Sequence, residues 1–129
     1  LDDYFIKAKP PEYLNRLGKR DLFYFSLTLA NRLGLVEAVI LQKIHNWLKY
    51  NHEKYPSKMV KESRTWVFRG YTGLKREIPC FSISTIRRAI RRLEGLGILI
   101  AGNYSERLGD RTKWYSINYI KLLPYISDD

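Results

Sequence analysis

FSISTIRRAIRRLEGLGILIAGNYSERLGDRTKW, residues 81–114, decides how this chain is read. Ser82 can cap a helix, because its hydroxyl can accept from the free amides of a first turn. The 3.6-residue period then predicts a helix over residues 83–94. Ile83, Ile86, Ala89, Ile90 and Leu93 fall on one side of it. Ser84, Arg88 and Arg91 fall opposite, flanked by Thr85, Arg87 and Arg92. Gly95 and Gly97 stop the helix, and Leu96 between them can pack back on it.

Four arginines between positions 87 and 92, with only Glu94 acidic nearby, repel one another on an isolated helix. A solvated helix face is the plain alternative. A polyanion explains the pattern better, since arginine forks onto guanine acceptors or onto phosphate. Ser84, Thr85 and Arg88 lie nearest the helix N-terminus, the end that reaches base edges in such helices. Arg91 and Arg92 lie further along, where phosphates are met.

Two β-rich runs follow, ILIAGNY (98–104) and RTKWYSINY (111–119), joined by the turn-forming hexamer SERLGD. In the second run Tyr115, Ile117 and Tyr119 share one face, and Trp114, Ser116 and Asn118 share the other. This is a hairpin with Arg107, Arg111 and Lys113 at or near its tip. Such a basic loop suits a phosphate backbone or a minor groove. Pairing of Arg111 with Asp110 or Glu106 is compatible with that role, because arginine has several donors. Capped basic helix, glycine stop and cationic hairpin together predict an α+β, mainly helical fold. It is a winged helix-turn-helix with a small antiparallel β-wing.

Upstream, TWVFR (65–69) reads as a short strand able to pair with the wing. YTGLKREI (71–78) reads as a short helix weakened by Gly73, and Pro79 ends it. The most regular helix runs from Val36 to about His52. Val36, Val39, Ile40, Ile44, Trp47 and Leu48 repeat on it at helical spacing. NHEKYPSKMVKESR (51–64) is polar, carries Pro56 and reads as an exposed loop, longer than a usual connector. FYFSLTLANRL (23–33) is either a strand followed by a helical turn or one short helix, with core aromatics.

At 129 residues the chain is one domain, large enough for its own core. Twenty-three Lys and Arg against 13 Asp and Glu give a formal charge of +10, with a pI near 9.8. That balance favours a polyanionic partner without naming one. No apolar run is long enough to span a bilayer, and no signal-peptide pattern is present. The lone Cys80 suits a reducing cytoplasm and reads as a small packed side chain in a turn. No phosphate-binding glycine loop is present. One Cys and two His, His45 and His52, do not make a structural zinc site, and both histidines read as hydrogen-bonded structural residues. No nucleophile–base pair or paired carboxylates stand out, so the chain is expected not to be an enzyme and to need no cofactor. Residues 1–21, with Pro10-Pro11 and the anchors Tyr4, Phe5, Ile6 and Tyr13, read as an N-terminal arm or a linker. Residues 22–122 form the predicted winged-helix domain. Residues 123–129 read as the start of a linker, so the chain is expected to be a piece of a longer protein.

Four blocks in order carry a resemblance: LGLVEAVILQKIHNWL (33–48), TWVFRGY (65–71), FSISTIRRAIRRLEGLGIL (81–99) and DRTKWYSINY (110–119). Together the chain resembles the N-terminal winged-helix domain of bacterial phage and plasmid replication initiators, including replisome organisers related to DnaD-like primosomal proteins. The resemblance spans residues 23–119. It implies sequence-specific binding of double-stranded origin repeats, with helix 83–94 in the major groove and wing 104–113 on the backbone or minor groove. A region outside this chain would recruit a helicase or its loader. Carried over, the DNA-facing residues are Ser84, Thr85, Arg87, Arg88, Arg91 and Arg92 on the helix, with Arg107, Arg111 and Lys113 on the wing. His45, Trp47, Trp66, Trp114 and Tyr115 match packing positions. Positions 83 and 84, Ile-Ser here, are often charged in relatives. The implied location is the bacterial cytoplasm, as a nucleoid-associated protein or a phage protein in its host. A homodimer is compatible with repeat binding. Two readings stay beside this one: a transcription regulator of the same fold, and a protein-interaction module supported by abundant tyrosine.

Overall fold

The computed structural model describes residues 22–127. Expectations for residues 1–21, and for 128 and 129, lie outside the described residues. The architecture is α+β and mainly helical, with two small antiparallel ribbons.

Residues 22–26 are irregular, and α1 (Leu27–Leu33) follows, so the run from Phe23 is a lead-in plus a short helix rather than a strand. Ser26 caps α1 by accepting from the Leu29 amide at 3.0 Å. Gly34 alone joins α1 to α2 (Leu35–Lys54). Its φ of +125° is a backbone state that side chains rarely adopt. A Cβ at Gly34 would also collide with the Glu37 carboxylate, which folds back over the junction.

α2 is the central element. It packs on α1, on α5 (Ile83–Gly95) and on β4 (Trp114–Ile117). Those several neighbours explain why its buried set, which includes Ala38 and Leu41, is wider than the stripe of one amphipathic face. Val36 and Trp47, expected on the stripe, are only partly buried.

The segment expected to be an exposed loop is structured. It holds the end of α2, a single turn α3 (Pro56–Met59), and a hairpin of β1 (Val60–Lys61) with β2 (Arg64–Thr65). Val60 pairs with Thr65 and Lys61 with Arg64. Glu62 and Ser63 turn the hairpin with φ of 53° and 63°. Two successive positive φ values are what a two-residue turn of this twist demands, usually from Asn-Gly. Asn51 donates to the Trp66 carbonyl at 2.9 Å, which ties the hairpin to α2.

α4 (Tyr71–Glu77) precedes α5 and packs on it. The Lys75 ammonium donates to the Pro79 and Phe81 carbonyls at 2.7 and 2.9 Å and holds the turn between them. Cys80 in that turn is exposed, as is Pro79 before it, and not packed as expected, because the turn lies at the surface. β3 (Leu99–Gly102) pairs antiparallel with β4, Leu99 opposite Ile117 and Gly102 opposite Trp114. Both strands are shorter than expected. Val67 and Tyr115 exchange two backbone bonds of 2.9 Å, so the upstream segment does reach the ribbon, through one residue.

Asn118 leaves the strand and caps α6 (Tyr119–Ile126), accepting from the Lys121 amide at 3.2 Å. Residues 123–126, expected to begin a linker, are therefore the second half of a helix that packs on α1. Tyr119, expected in the strand, is its first residue.

One contiguous core joins α1, α2, α4, α5, the ribbon and Leu122 of α6. Ile40, Ile86, Ile90, Leu93 and Ile98 are all fully buried within it. Among the described residues no helix is long and apolar enough to cross a membrane.

Candidate nucleic-acid interface

α5 begins where the sequence places it. Ser82 adopts extended backbone and accepts from the Thr85 amide at 3.1 Å. Its hydroxyl also donates to Thr85 Oγ1 at 2.9 Å and lies 3.2 Å from Ser84 Oγ. The first turn is therefore a closed set of three hydroxyls. Ser84 stays exposed and Thr85 is half-buried.

The helix has two faces of opposite character. Ile86, Ala89, Ile90 and Leu93 are buried, and Ile83 is half-buried at their edge. Arg87, Arg88, Arg91 and Arg92 are exposed. Burial of the first set fixes the rotation of the helix, and the second set is thereby held outward.

The four arginines are not equivalent. Arg92 donates to the Leu33 carbonyl at the end of α1 and pairs with Glu37 at 3.4 Å. It anchors α5 to the α1–α2 junction. Arg87 lies over the Tyr71 ring at 5.3 Å, a cation–π contact with α4. Arg88 and Arg91 have no hydrogen bond or ion pair among the described residues. They stand one turn apart and face solvent.

The β3–β4 loop, expected to be a wing, carries the other three predicted residues. Between β3 and β4 the loop is organised by Asp110. Its carboxylate accepts from the Thr112 amide at 2.9 Å and the Ser105 hydroxyl at 3.0 Å. Those bonds, that from the Thr112 backbone first, hold the carboxyl below the ordinary aspartate range. Asn103 donates to the Asp110 carbonyl at 2.8 Å and closes the loop base. Gly109, at φ +82°, makes the turn at the tip. Arg107 and Arg111 are exposed there, and Arg111 forms no ion pair with Asp110 or Glu106 among the described residues. Lys113 pairs with Glu94 at 3.5 Å, which joins the root of the wing to the end of α5.

Of the nine predicted site residues, Arg92 and Lys113 thus meet carboxylates, Arg87 meets a ring, and Thr85 meets the cap. Arg88, Arg91, Arg107 and Arg111 are exposed with no ion pair among the described residues, and Ser84 is exposed with its hydroxyl beside that of Ser82. Sequence reasoning passed over Arg76, which is exposed on α4. With Thr72 and Thr112 it lines a groove between α4 and the wing. Helical periodicity carried that signal, since Arg76 lies two positions from the buried Leu74.

The packing residues fall inward. Trp66, Trp114 and Tyr115 are buried, while Trp47 and His45 are half-buried. Burial, then the neighbouring Tyr71 and Glu94, push the Tyr115 hydroxyl far up from its ordinary value. His45 Nδ1 lies 2.7 Å from the Tyr119 hydroxyl, and His52 Nδ1 lies 3.1 Å from Thr65 Oγ1. No group of His, Cys, Asp or Glu that could hold a metal occurs among the described residues. Compared with known proteins, the chain matches no family model, no curated protein and no solved structure.

Proposed function

We propose that the chain is a winged helix-turn-helix domain that binds double-stranded DNA, with α5 in the major groove and the 104–113 wing on the backbone or minor groove. One observation carries this reading. α5 buries one face completely and holds Arg88 and Arg91 outward with no internal partner. Unpaired arginines one turn apart on a rigid helix suit guanine edges and phosphates. Arg107 and Arg111 extend the cationic surface onto the wing, and the net charge of +10 agrees in sign.

The biological setting proposed is replication initiation. The bound DNA would be origin repeats, and a helicase or its loader would be recruited through a region outside this chain. A second copy is compatible with repeats. The supporting observation is the order and content of the four sequence blocks that resemble initiators. Exposed apolar side chains on α1 and α6, Leu27, Ile120 and Leu123, support a protein contact alongside DNA binding. A transcription regulator would use the same helix and wing, and the domain joined to this one separates the two.

The test is fluorescence anisotropy with duplex DNA of random and of candidate origin sequence across a salt series, with Arg88→Ala/Arg91→Ala alongside. Affinity that falls steeply with salt and is lost in the double variant supports the proposal. Duplex binding no tighter than that of any anionic polymer sinks it.

A further inference from the structure

We infer that the cleft between the β1–β2 hairpin and the root of the wing binds single-stranded nucleic acid, stacking an unpaired base against Phe68. This site is distinct from α5, and its case stands whether or not α5 binds duplex.

The cleft has a volume of about 410 Å³ and is lined by Phe68, Tyr104 and Trp114, with Lys58, Lys61 and Arg107 among its other residues. Its rings belong to a contiguous aromatic stack. Trp66 meets Tyr104 at 4.9 Å between centroids, Tyr104 meets Trp114 at 5.6 Å, and Trp114 meets Phe68 at 5.3 Å. None of these four rings is part of the main core cluster. Phe68, at the end of the stack, is 40% exposed. Gly102 makes the stack possible, since a Cβ there would come within 3.0 Å of the Tyr104 ring and 3.2 Å of the Trp66 ring.

The second observation is an unpartnered donor. Trp114 is 8% exposed, and its Nε1–H has no acceptor among the described residues. The other indole of the stack differs, because Trp66 Nε1 donates to the Lys61 carbonyl at 3.0 Å. A buried N–H without an acceptor is costly, and Trp114 backs the cleft from within rather than opening a face to it.

Charge selects the ligand class. Lys58, Lys61 and Arg107 form no ion pairs among the described residues. The lining also holds two acids, Glu106 and Asp110. Glu62 accepts from the Tyr104 hydroxyl at 2.8 Å, and Asp110 is held within its own loop. Three cations against two acids leave the lining net positive, and with the exposed Phe68 ring this suits a polyanion that carries flat rings. Stacking on an aromatic face needs an unpaired base, so single strands are taken in preference to duplex. The Tyr104–Glu62 bond ties the hairpin to the wing, and the Trp66–Lys61 bond closes the hairpin on itself.

The experiment titrates the 129-residue chain with fluorescein-labelled oligothymidine of about 12 nucleotides, an abasic oligomer of equal charge, and a duplex. Anisotropy and tryptophan fluorescence are read together. Oligothymidine should bind more tightly than the abasic oligomer and quench tryptophan emission. Phe68→Ala should weaken oligothymidine roughly tenfold and leave the duplex unchanged. Lys58→Ala/Lys61→Ala removes two cations of the lining, so it should also weaken oligothymidine, and it decides the matter if Phe68→Ala fails to fold. Arg88→Ala/Arg91→Ala should keep oligothymidine binding, which separates this site from the duplex surface. Equal affinity for oligothymidine and the abasic oligomer overturns the inference. So does unchanged affinity in the cleft variants, or no oligonucleotide binding, whether or not an apolar peptide is captured instead.

Discussion

Replacing Arg88 and Arg91 together should remove DNA affinity without touching the fold, whereas replacing Arg92 should do the reverse. All three side chains leave the same exposed side of α5, so an argument from charge alone treats them alike. Their partners separate them. Arg88 and Arg91 contact nothing charged within the described residues, so Arg88→Ala/Arg91→Ala gives up no internal bond. Surface changes of this kind alter stability by about 0.5 kcal/mol or less. On DNA, an arginine contact is worth about 1–3 kcal/mol, so two lost contacts weaken duplex binding by at least about thirtyfold. If both meet phosphate, the log–log salt slope flattens by about 1.8, from about 0.9 per contact. Arg92→Ala instead removes the tie to Leu33 and Glu37. Its side chain is 51% exposed, so solvent screening leaves a cost of about 1 kcal/mol. Anisotropy across about 50–200 mM salt, with a urea titration of each variant, measures both quantities. An unchanged salt slope in Arg88→Ala/Arg91→Ala would refute the assignment of α5 to DNA. Equal losses of stability in all variants would refute the division among the arginines.

Ile90 is fully buried at the α5 core face, so Ile90→Ala should cost about 2–5 kcal/mol, seen as a lower urea midpoint at unchanged slope. Gly34→Ala should destabilise by about 1–3 kcal/mol, through the positive φ and the displaced Glu37 carboxylate, and thermal melts of this variant and Arg92→Ala should be less than additive in combination. Burial, helped by Lys49, holds the His45 imidazole below its ordinary pKa of 6.5. The unfolded chain then binds the proton more readily, so this stability is complete above about pH 6.5 and is lost as pH falls through the depressed value. Urea midpoints at about pH 7.5 and 5.5 should show the decline, and His45→Gln should remove that share of it.

The α5 reading was legible because all its signals are local. The Ser82 cap, the Ile86–Leu93 face, the glycines after it and the hairpin beyond are each written within a few residues. The role of Arg92 was not, because Leu33 and Glu37 come to it from a distant part of the chain. The β1–β2 hairpin hid inside an apparent loop. Its turn uses Glu62-Ser63 where sequence rules look for Asn-Gly, and its strands are only two residues long. α6 was concealed by Pro124, which lies inside the helix, and by Tyr119, which fits a strand pattern equally well. The burial of β4 on both faces also escaped a period-2 reading. Trp114 and Ser116 are covered by Phe68, Tyr104 and the Thr65 carbonyl, none of which strand periodicity can anticipate.

The single bridge between Val67 and Tyr115 has a consequence for how the chain behaves among its own copies. A free strand edge is a template on which another chain can add. β4 has β3 along one side. On the other it has Val67, and the Ser116 hydroxyl donates to the Thr65 carbonyl at 2.7 Å. Only β3, four residues long and ending at Gly102, keeps an outer edge. That pairing at the middle of β4 interrupts the flank along which a strand of another chain would otherwise add.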